Sequence, residues 1–381
     1  MNIGFIEDTP LHGGTQIWVT EAMRAFLAHG HEATLLAPEG SWMVDQCSDS
    51  GARIFTYDWV EVTQERDEDV QIWTDALRRC DVAICTVHPP REGFHCSVFA
   101  ARCIAAAGLQ THLLPKSGTI VPEYERRFYR PDEAINSSVI AIADFTRQYL
   151  IETYAIPEES TALIYQGVDT QRFKSTAEGK RMAAEHYSLP EKAAPILASV
   201  GSFEHRKGHP VLFEAVRQLA AGPLPQIYLM LVGDGPDEAL LKGLVEKLGI
   251  GDRVGFFPFT SEPNFVFERA DMTVLPSLYK EGLPNVLQES MAMNVPVVSS
   301  NLGGVPEVVF DGRTGYMVEP GDSSGLAAAI LNLWANQEAY RRMCVRAREV
   351  IVERFDKETQ FEQFLKYFRS ITGEQHDHQG A

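Results

Sequence analysis

Short apolar runs alternate along this chain with longer stretches in which apolar residues recur every third or fourth position, the strand and helix alternation of an α/β protein. Asn2-Ile3-Gly4-Phe5-Ile6-Glu7 is the first run. A polar loop, Asp8 to Gly14, follows, and then Ile17, Val19, Ala22, Met23, Phe26 and Leu27 stand at helical spacing as far as His29-Gly30-His31. Glu32 to Ala37 makes a second strand. The chain therefore opens as strand, glycine-bearing turn, helix, strand, the beginning of a doubly wound sheet. Further strands are expected at 53–57, 82–87, 111–114 and 139–143. The loops behind them are Thr86 to Glu92 with His88, Pro115 to Thr119, and Asp144 to Arg147. Ligands of parallel sheets bind beyond the carboxyl ends of the strands, so these loops are expected to share one cleft. Gly13-Gly14 lacks the G-x-G-x-x-G spacing and serves equally well as a tight turn. His88 and His112, taken singly, read more readily as satisfied core or rim residues.

A strand at 162–165 and the turn Gln166-Gly167-Val168-Asp169 close the first series, and a charged segment, Thr170 to Lys192, leads into a new strand at 195–200. A domain boundary belongs there, giving domains 1–168 and 169–356. The new strand runs into Gly201-Ser202-Phe203-Glu204-His205-Arg206-Lys207-Gly208. Arg206 and Lys207 thus sit on a glycine-flanked loop at a strand's carboxyl end, placed to neutralise a diphosphate, one as a planar fork and the other as a point charge. A solvated basic pair is the alternative. Strands at 227–232, 254–259 and 272–276 continue the series, each followed by a turn or helix.

The last of these delivers the chain to Lys280–Asp322, its most informative stretch. Glu281 and Glu289 flank the turn Gly282-Leu283-Pro284-Asn285. If the run that follows is helical, Glu281 lies at or just before its start and Glu289 about two turns inside. The unpaired N–H groups of the first turn then face the same cleft as Glu281, a seat for phosphate with a hydrogen-bond acceptor beside it. Asn294 supplies a helix stop, Val295 to Ser299 a short buried strand, and Gly303-Gly304-Val305-Pro306-Glu307 a loop. Spacing alone fits an ordinary helix–strand unit with two solvated glutamates equally well. Convergence with Arg206 and Lys207, also at a strand's carboxyl end and expected in the same cleft, favours a diphosphate-sugar clamp.

Length and composition narrow the setting. With 381 residues the chain suits two α/β domains, and 45 % hydrophobic with 23 % charged residues is an ordinary globular balance. A formal charge of −18 argues against a nucleic-acid partner and against general adhesion to anionic membrane. The six cysteines show no Cys-x-x-Cys pair and no zinc-like spacing, so reduced thiols and no metal site are expected. MNIGFIED enters a strand directly and is not expected to be a signal peptide, and no apolar run is long enough to cross a membrane. A cytoplasmic location follows as the expectation. One basic patch stands out, Tyr124-Glu125-Arg126-Arg127-Phe128-Tyr129-Arg130. It suits a solvated loop, and secondarily a weak peripheral membrane contact.

The Gly201–Gly208 loop, the turn Val232-Gly233-Asp234-Gly235, Leu275-Pro276-Ser277 and above all the Glu281–Gly315 run resemble family 4 of the retaining, GT-B-fold glycosyltransferases. Gly13-Gly14 and Gln166–Asp169 fit less specifically, so the resemblance spans nearly the whole chain. It implies the GT-B architecture, two Rossmann-like doubly wound parallel-sheet domains facing a cleft. The first would take the acceptor and the second a nucleoside-diphosphate sugar, UDP- or GDP-linked. Further implications are a hexose-type transfer to a hydroxyl with retention of configuration, by phosphate-assisted front-side attack, and no metal or other cofactor. By the same resemblance Glu281 contacts donor hydroxyls, Glu289 the ribose, and Arg206 with Lys207 the diphosphate. Gly282 and the amides of Leu283, Pro284, Asn285 and Val286 frame the sugar and phosphates, as far as each has an N–H to offer. Phe257 to Phe259 lie beside the base, and Gly13-Gly14 approach the transferring sugar. Two departures matter. Ser202 stands where many relatives carry Arg, which shifts phosphate binding onto Arg206 and Lys207. The relatives' first-domain histidine maps near Lys116-Ser117, so Lys116, Ser117 or His88 takes over that contact, Lys116 with an acidic or phosphorylated acceptor in view. A last helix, 357–370, is expected to return to the first domain through the stripe Phe361, Phe364, Leu365 and Phe368, leaving 373–381 as a disordered tail. The acceptor is a small metabolite, a lipid-linked sugar or a glycan. The rivals are a sugar-nucleotide epimerase or hydrolase on the same fold, and a sugar-nucleotide-binding protein without turnover.

Overall fold

A computed structural model of the chain describes residues 1–9, 14–63, 70–87, 96–118 and 126–373. It divides into two compact units, Met1–Tyr165 with Gln360–Ala381, and Gln166–Thr359.

Unit one is built on seven parallel strands: β1 (Asn2–Ile6), β2 (Glu32–Pro38), β3 (Arg53–Tyr57), β4 (Val82–Val87), β5 (His112–Ser117), β6 (Val139–Ala141) and β7 (Thr161–Leu163), in the order β3-β2-β1-β4-β5-β6-β7. The order reverses between β1 and β4, the place where such sheets take ligands. β5 runs further than the sequence predicts. Pro115 suggests a stop after Leu114, yet the strand continues through it to Ser117, so Lys116 and Ser117 lie on a buried strand instead of in a loop. The physical reason lies in the ladder. Leu113 exchanges backbone bonds with Asn136 and Ser138 on the β6 side, so Pro115, two residues on, would also have turned its N–H that way. The β5–β6 ladder is interrupted there, while pairing to β4 runs unbroken from Val82↔His112 to Val87↔Ser117.

Helices Gly14–Ala28 and Lys357–Thr372 cover one face of this sheet, and Val70–Leu77 with Cys96–Ala107 the other. The terminal helix buries Phe361, Phe364 and Phe368 around Phe26, with ring centroids 4.7, 6.5 and 5.8 Å from it. That stripe therefore packs into unit one. In the basic patch, Phe128 and Tyr129 are buried and Arg126 and Arg130 reach Glu133. These aromatics are unavailable to a membrane surface, because their rings fill the unit's own core; Tyr124 and Glu125 lie outside the described residues. Among the described residues no helix is long and apolar enough to cross a membrane.

Unit two has six parallel strands: β8 (Ile196–Val200), β9 (Tyr228–Val232), β10 (Val254–Phe257), β11 (Met272–Leu275), β12 (Val297–Ser300) and β13 (Gly315–Val318), ordered β10-β9-β8-β11-β12-β13. Its switch point falls between β8 and β11. Helix His209–Ala220 lays Leu212, Val216 and Leu219 on Leu229, Leu231 and Val274 to make the main core. β10 ends at Phe257, two residues short of the sequence expectation, and Phe259 beyond it is 60 % exposed.

Candidate active site

Because β8 and β11 are neighbours, the loops leaving their carboxyl ends meet. The β8 loop makes a single tight turn over His205–Lys207, and the Leu278 N–H donates to the Arg206 carbonyl at 2.7 Å, fastening the two exits together. Glu281 sits in the β11 loop and is buried. Its Oε1 accepts from Lys207 Nζ at 2.6 Å, from Ser277 Oγ at 2.6 Å and from Arg206 Nη1 at 3.4 Å. No hydrogen bond to Oε2 occurs among the described residues. A carboxylate has roughly four acceptor positions, so one oxygen is saturated while the other keeps its capacity.

Arg206 is divided between two carboxylates, its Nε donating to Glu204 Oε2 at 2.8 Å. Burial tends to raise the Glu204 carboxyl, but Arg206, aided by Ser202 and Lys207, outweighs it and holds the group below the usual range. Behind the cations His209 is buried, and desolvation, reinforced by Lys207, lowers its pKa to about 4. The imidazole is neutral at pH 7, so the site's positive charge belongs to Lys207 and Arg206.

Two glycines set this geometry. Gly208 (φ 65°) brings β8's loop so close to β11's exit that a Cβ would lie 2.1 Å from the Pro276 carbonyl oxygen. Gly303 (φ 59°), in the loop after β12, would put a Cβ 1.8 Å from the Glu281 carbonyl oxygen, and the adjacent Gly304 N–H donates to Gly282 at 2.8 Å. Lys280 adopts a left-handed φ of 62°, a conformation that costs a side-chain-bearing residue about 1–2 kcal/mol. Strain of this kind at the residue before Glu281 fits a position that is over-determined for use.

The helix expected after Glu281 begins at Asn285 and ends at Ala292. Glu281 lies four residues before it, because the chain bends at Gly282-Leu283 and Pro284 is an extended cap, and Glu289 is about one turn inside, not two. Gly282, Leu283 and Pro284 are buried beneath the Gly303 loop, while Asn285, Val286 and Glu289 are half-buried. Ser202 is half-buried at the start of the β8 loop, and Phe257 meets Tyr187 edge-on at 5.3 Å.

The remaining expected positions belong to unit one. Gly14 opens helix Gly14–Ala28; Gly13 and His88 lie outside the described residues. Lys116 is buried with its Nζ 4.0 Å from the centre of the Trp18 ring, and burial brings its pKa down from 10.5 to about 7. His112 is a satisfied rim residue, bonded to Ser138 Oγ at 2.8 Å. Sequence reasoning missed Ser277, Glu204 and Gly303. The first two are common residue types in loops and carry no spacing signal; the third was read only as part of a loop.

Comparison with known proteins bears on this arrangement. Residues 184–350 match the family described as Glycosyl transferases group 1. The lipopolysaccharide core biosynthesis glycosyltransferase LpsE of Rhizobium meliloti is 34 % identical over 196 residues, 51 % of this chain and 56 % of that protein. The chain spans little more than half the length of this and similar curated relatives. Among solved structures, a glycosyltransferase from Rickettsia africae superposes with a TM-score of 0.84 at 19 % identity, covering 98 % of this chain and 99 % of the other. Anabaena HepE in complex with UDP gives 0.83 at 18 % identity, covering 97 % and 100 %. The fold is therefore GT-B, with two Rossmann-like parallel-sheet domains.

Proposed function

We propose, from the match of residues 184–350 to the family described as Glycosyl transferases group 1, that this protein is a glycosyltransferase that takes a nucleoside-diphosphate sugar in unit two and passes the sugar to a hydroxyl acceptor. The observation that carries the reading is the Glu281 carboxylate. One oxygen is fixed by Lys207, Ser277 and Arg206, and the other is open to a donor such as a sugar hydroxyl. Lys207 spends one of three N–H bonds on Glu281, and Arg206 keeps guanidinium N–H groups beyond its two carboxylate contacts. A diphosphate would be met by these remaining donors, and growing charge on the leaving phosphate would be stabilised by preset cations without a metal ion. HepE, solved with UDP and also with UDP-glucose, supports a UDP-linked donor. Retention of configuration by front-side attack, with the leaving phosphate taking the acceptor proton, belongs to this proposal. Glu289 on the ribose, Phe257 beside the base, and Ser202 with the Gly282–Val286 backbone near the phosphates complete it.

Donor binding is tested by thermal shift against UDP-, GDP- and other nucleoside-diphosphate sugars, since a true donor stabilises the fold by mass action. Transfer is then followed with hydroxyl acceptors and compared with donor alone. Lys207→Ala and Glu281→Ala should each cut transfer by orders of magnitude while the protein stays folded. Near-normal turnover in both variants contradicts the assignment, and consumption of donor without acceptor points to a hydrolase or epimerase.

A further inference from the structure

Unit one contains a buried charge that the donor site does not use. Lys116 is 4 % exposed at the next-to-last position of β5. Among the described residues it makes no ion pair, and its recorded partner is the Trp18 ring. Thr86 is its register partner on β4, so the two side chains leave the same face of the sheet from adjacent strands. Thr86 is 5 % exposed, and its Oγ1 is buried without a hydrogen-bond partner among the described residues. The Trp18 indole N–H in turn donates to Gln360 Oε1 at 3.3 Å. This fixes the amide so that Nε2 is its free end, and that nitrogen too is buried and, among the described residues, unpartnered.

An ammonium over the indole face, an amide whose oxygen takes the indole N–H, and a hydroxyl on the register neighbour of Lys116, each on a side chain more than nine-tenths buried, thus lie around this strand edge with donor capacity unspent among the described residues. Unsatisfied buried donors are costly, and a buried cation without a counter-charge more so. Such a set is stable to selection when a ligand completes it. Its location at the carboxyl edge of β4 and β5, beside the β1/β4 switch point, is where doubly wound sheets receive ligands. Donors without an acceptor specify an oxyanion. Burial has already lowered the Lys116 ammonium towards neutrality, and an arriving anion would raise it again.

We propose that Thr86, Lys116 and Gln360 form an oxyanion subsite in unit one that holds a carboxylate or phosphate on the sugar acceptor. The acceptor role rests on the glycosyltransferase reading; the anion site does not.

The test uses the full chain in a Lys207→Ala background, which removes the principal cation of unit two. Inorganic phosphate and succinate are titrated by calorimetry. One of them is expected to bind, and adding Lys116→Met should weaken it at least tenfold; which probe binds separates phosphate from carboxylate. Thr86→Val and Gln360→Leu serve as gentler variants if Lys116→Met does not fold, each with an expected loss of severalfold. In anion-free buffer Lys116→Met should melt several degrees higher than its parent, because a methionine fills the same space without a buried charge. Binding that is unchanged by all three substitutions, or no binding of either probe, overturns the subsite. Donor binding and transfer to matched anionic and neutral acceptors, measured in the chain with Lys207 intact, supply the second arm. An anionic preference that Lys116→Met erases supports the assignment, and one that survives it overturns the acceptor role. If no donor binds, the reading of unit two fails while Lys116-dependent anion binding still stands.

Discussion

The placement of Glu281 depends on Gly303, a residue with no side chain to touch it. Replacing Gly303 by alanine puts a Cβ 1.8 Å from the Glu281 carbonyl oxygen, where contacts under 3.0 Å are essentially never seen, so backbone must retreat by more than 1 Å. The carbonyl belongs to the residue whose Oε1 holds Lys207 and Ser277 at 2.6 Å each, and a shift of that size breaks both bonds. A misplacement of about 1 Å in a catalytic constellation costs about a hundredfold in rate. The left-handed φ of 59° adds a separate cost, about 1–2 kcal/mol for a residue with a Cβ. Gly312→Ala isolates that second cost, since Gly312 has φ 68° with nothing within 4 Å of an added Cβ. Both variants should lose stability in urea denaturation, Gly303→Ala by clearly more. Only Gly303→Ala should lose donor affinity in calorimetry and transfer in a coupled nucleotide-release assay. If the two alanine variants behave alike, or if Gly303→Ala binds donor as the parent does, the reasoning that couples the β12 loop to Glu281 is wrong.

Other expectations follow from the same contacts. Glu281→Gln leaves Lys207 and Arg206, whose side chains are 13 % and 17 % exposed, without a shared counter-charge; the loss measured in urea should be ~2–3 kcal/mol, below the full cost of breaking a buried pair because both cations keep some solvent. Phe368→Ala, at a side chain with no exposure packed on Phe26, should destabilise unit one by ~3–5 kcal/mol, and an effect under 1 kcal/mol in chemical denaturation would show that the terminal helix does not dock as described. His209 has its pKa lowered to about 4 from 6.5, so between these values the unfolded chain binds the extra proton; stability is intact above 6.5 and should fall by ~3 kcal/mol as pH drops to 4. His112, also lowered to about 4, adds a loss of the same sign. Urea midpoints that stay flat across this window, or that are unchanged in slope by His209→Gln, contradict the buried neutral imidazole.

What the sequence determined by itself is the series of elements and the loops that carry chemistry. Apolar periodicity and turn residues are local, so the strands at 53–57 and 82–87 coincide with their expected limits, Asn294 stops its helix with a φ of 63°, and the stripe of Phe361, Phe364 and Phe368 is found on a docking face. Arg206, Lys207 and Glu281 were legible for the same reason, since each follows a readable strand. The tertiary structure decided what meets what. Strand order brings the β8 and β11 exits together, and no local pattern encodes that order. It also decided that Pro115 is tolerated within β5, because tolerance depends on which neighbour the missing N–H would have faced. Gly303 acts through a carbonyl, an atom every residue possesses, and so leaves no mark in the pattern of side chains. In the sequence Lys116 stands in an expected loop, a candidate only through the position of the relatives' first-domain histidine. Only the fold, by setting it against Trp18 beside Thr86, makes it a buried charge with no ion pair among the described residues, because the cost of a charge is fixed by its surroundings and not by its own identity.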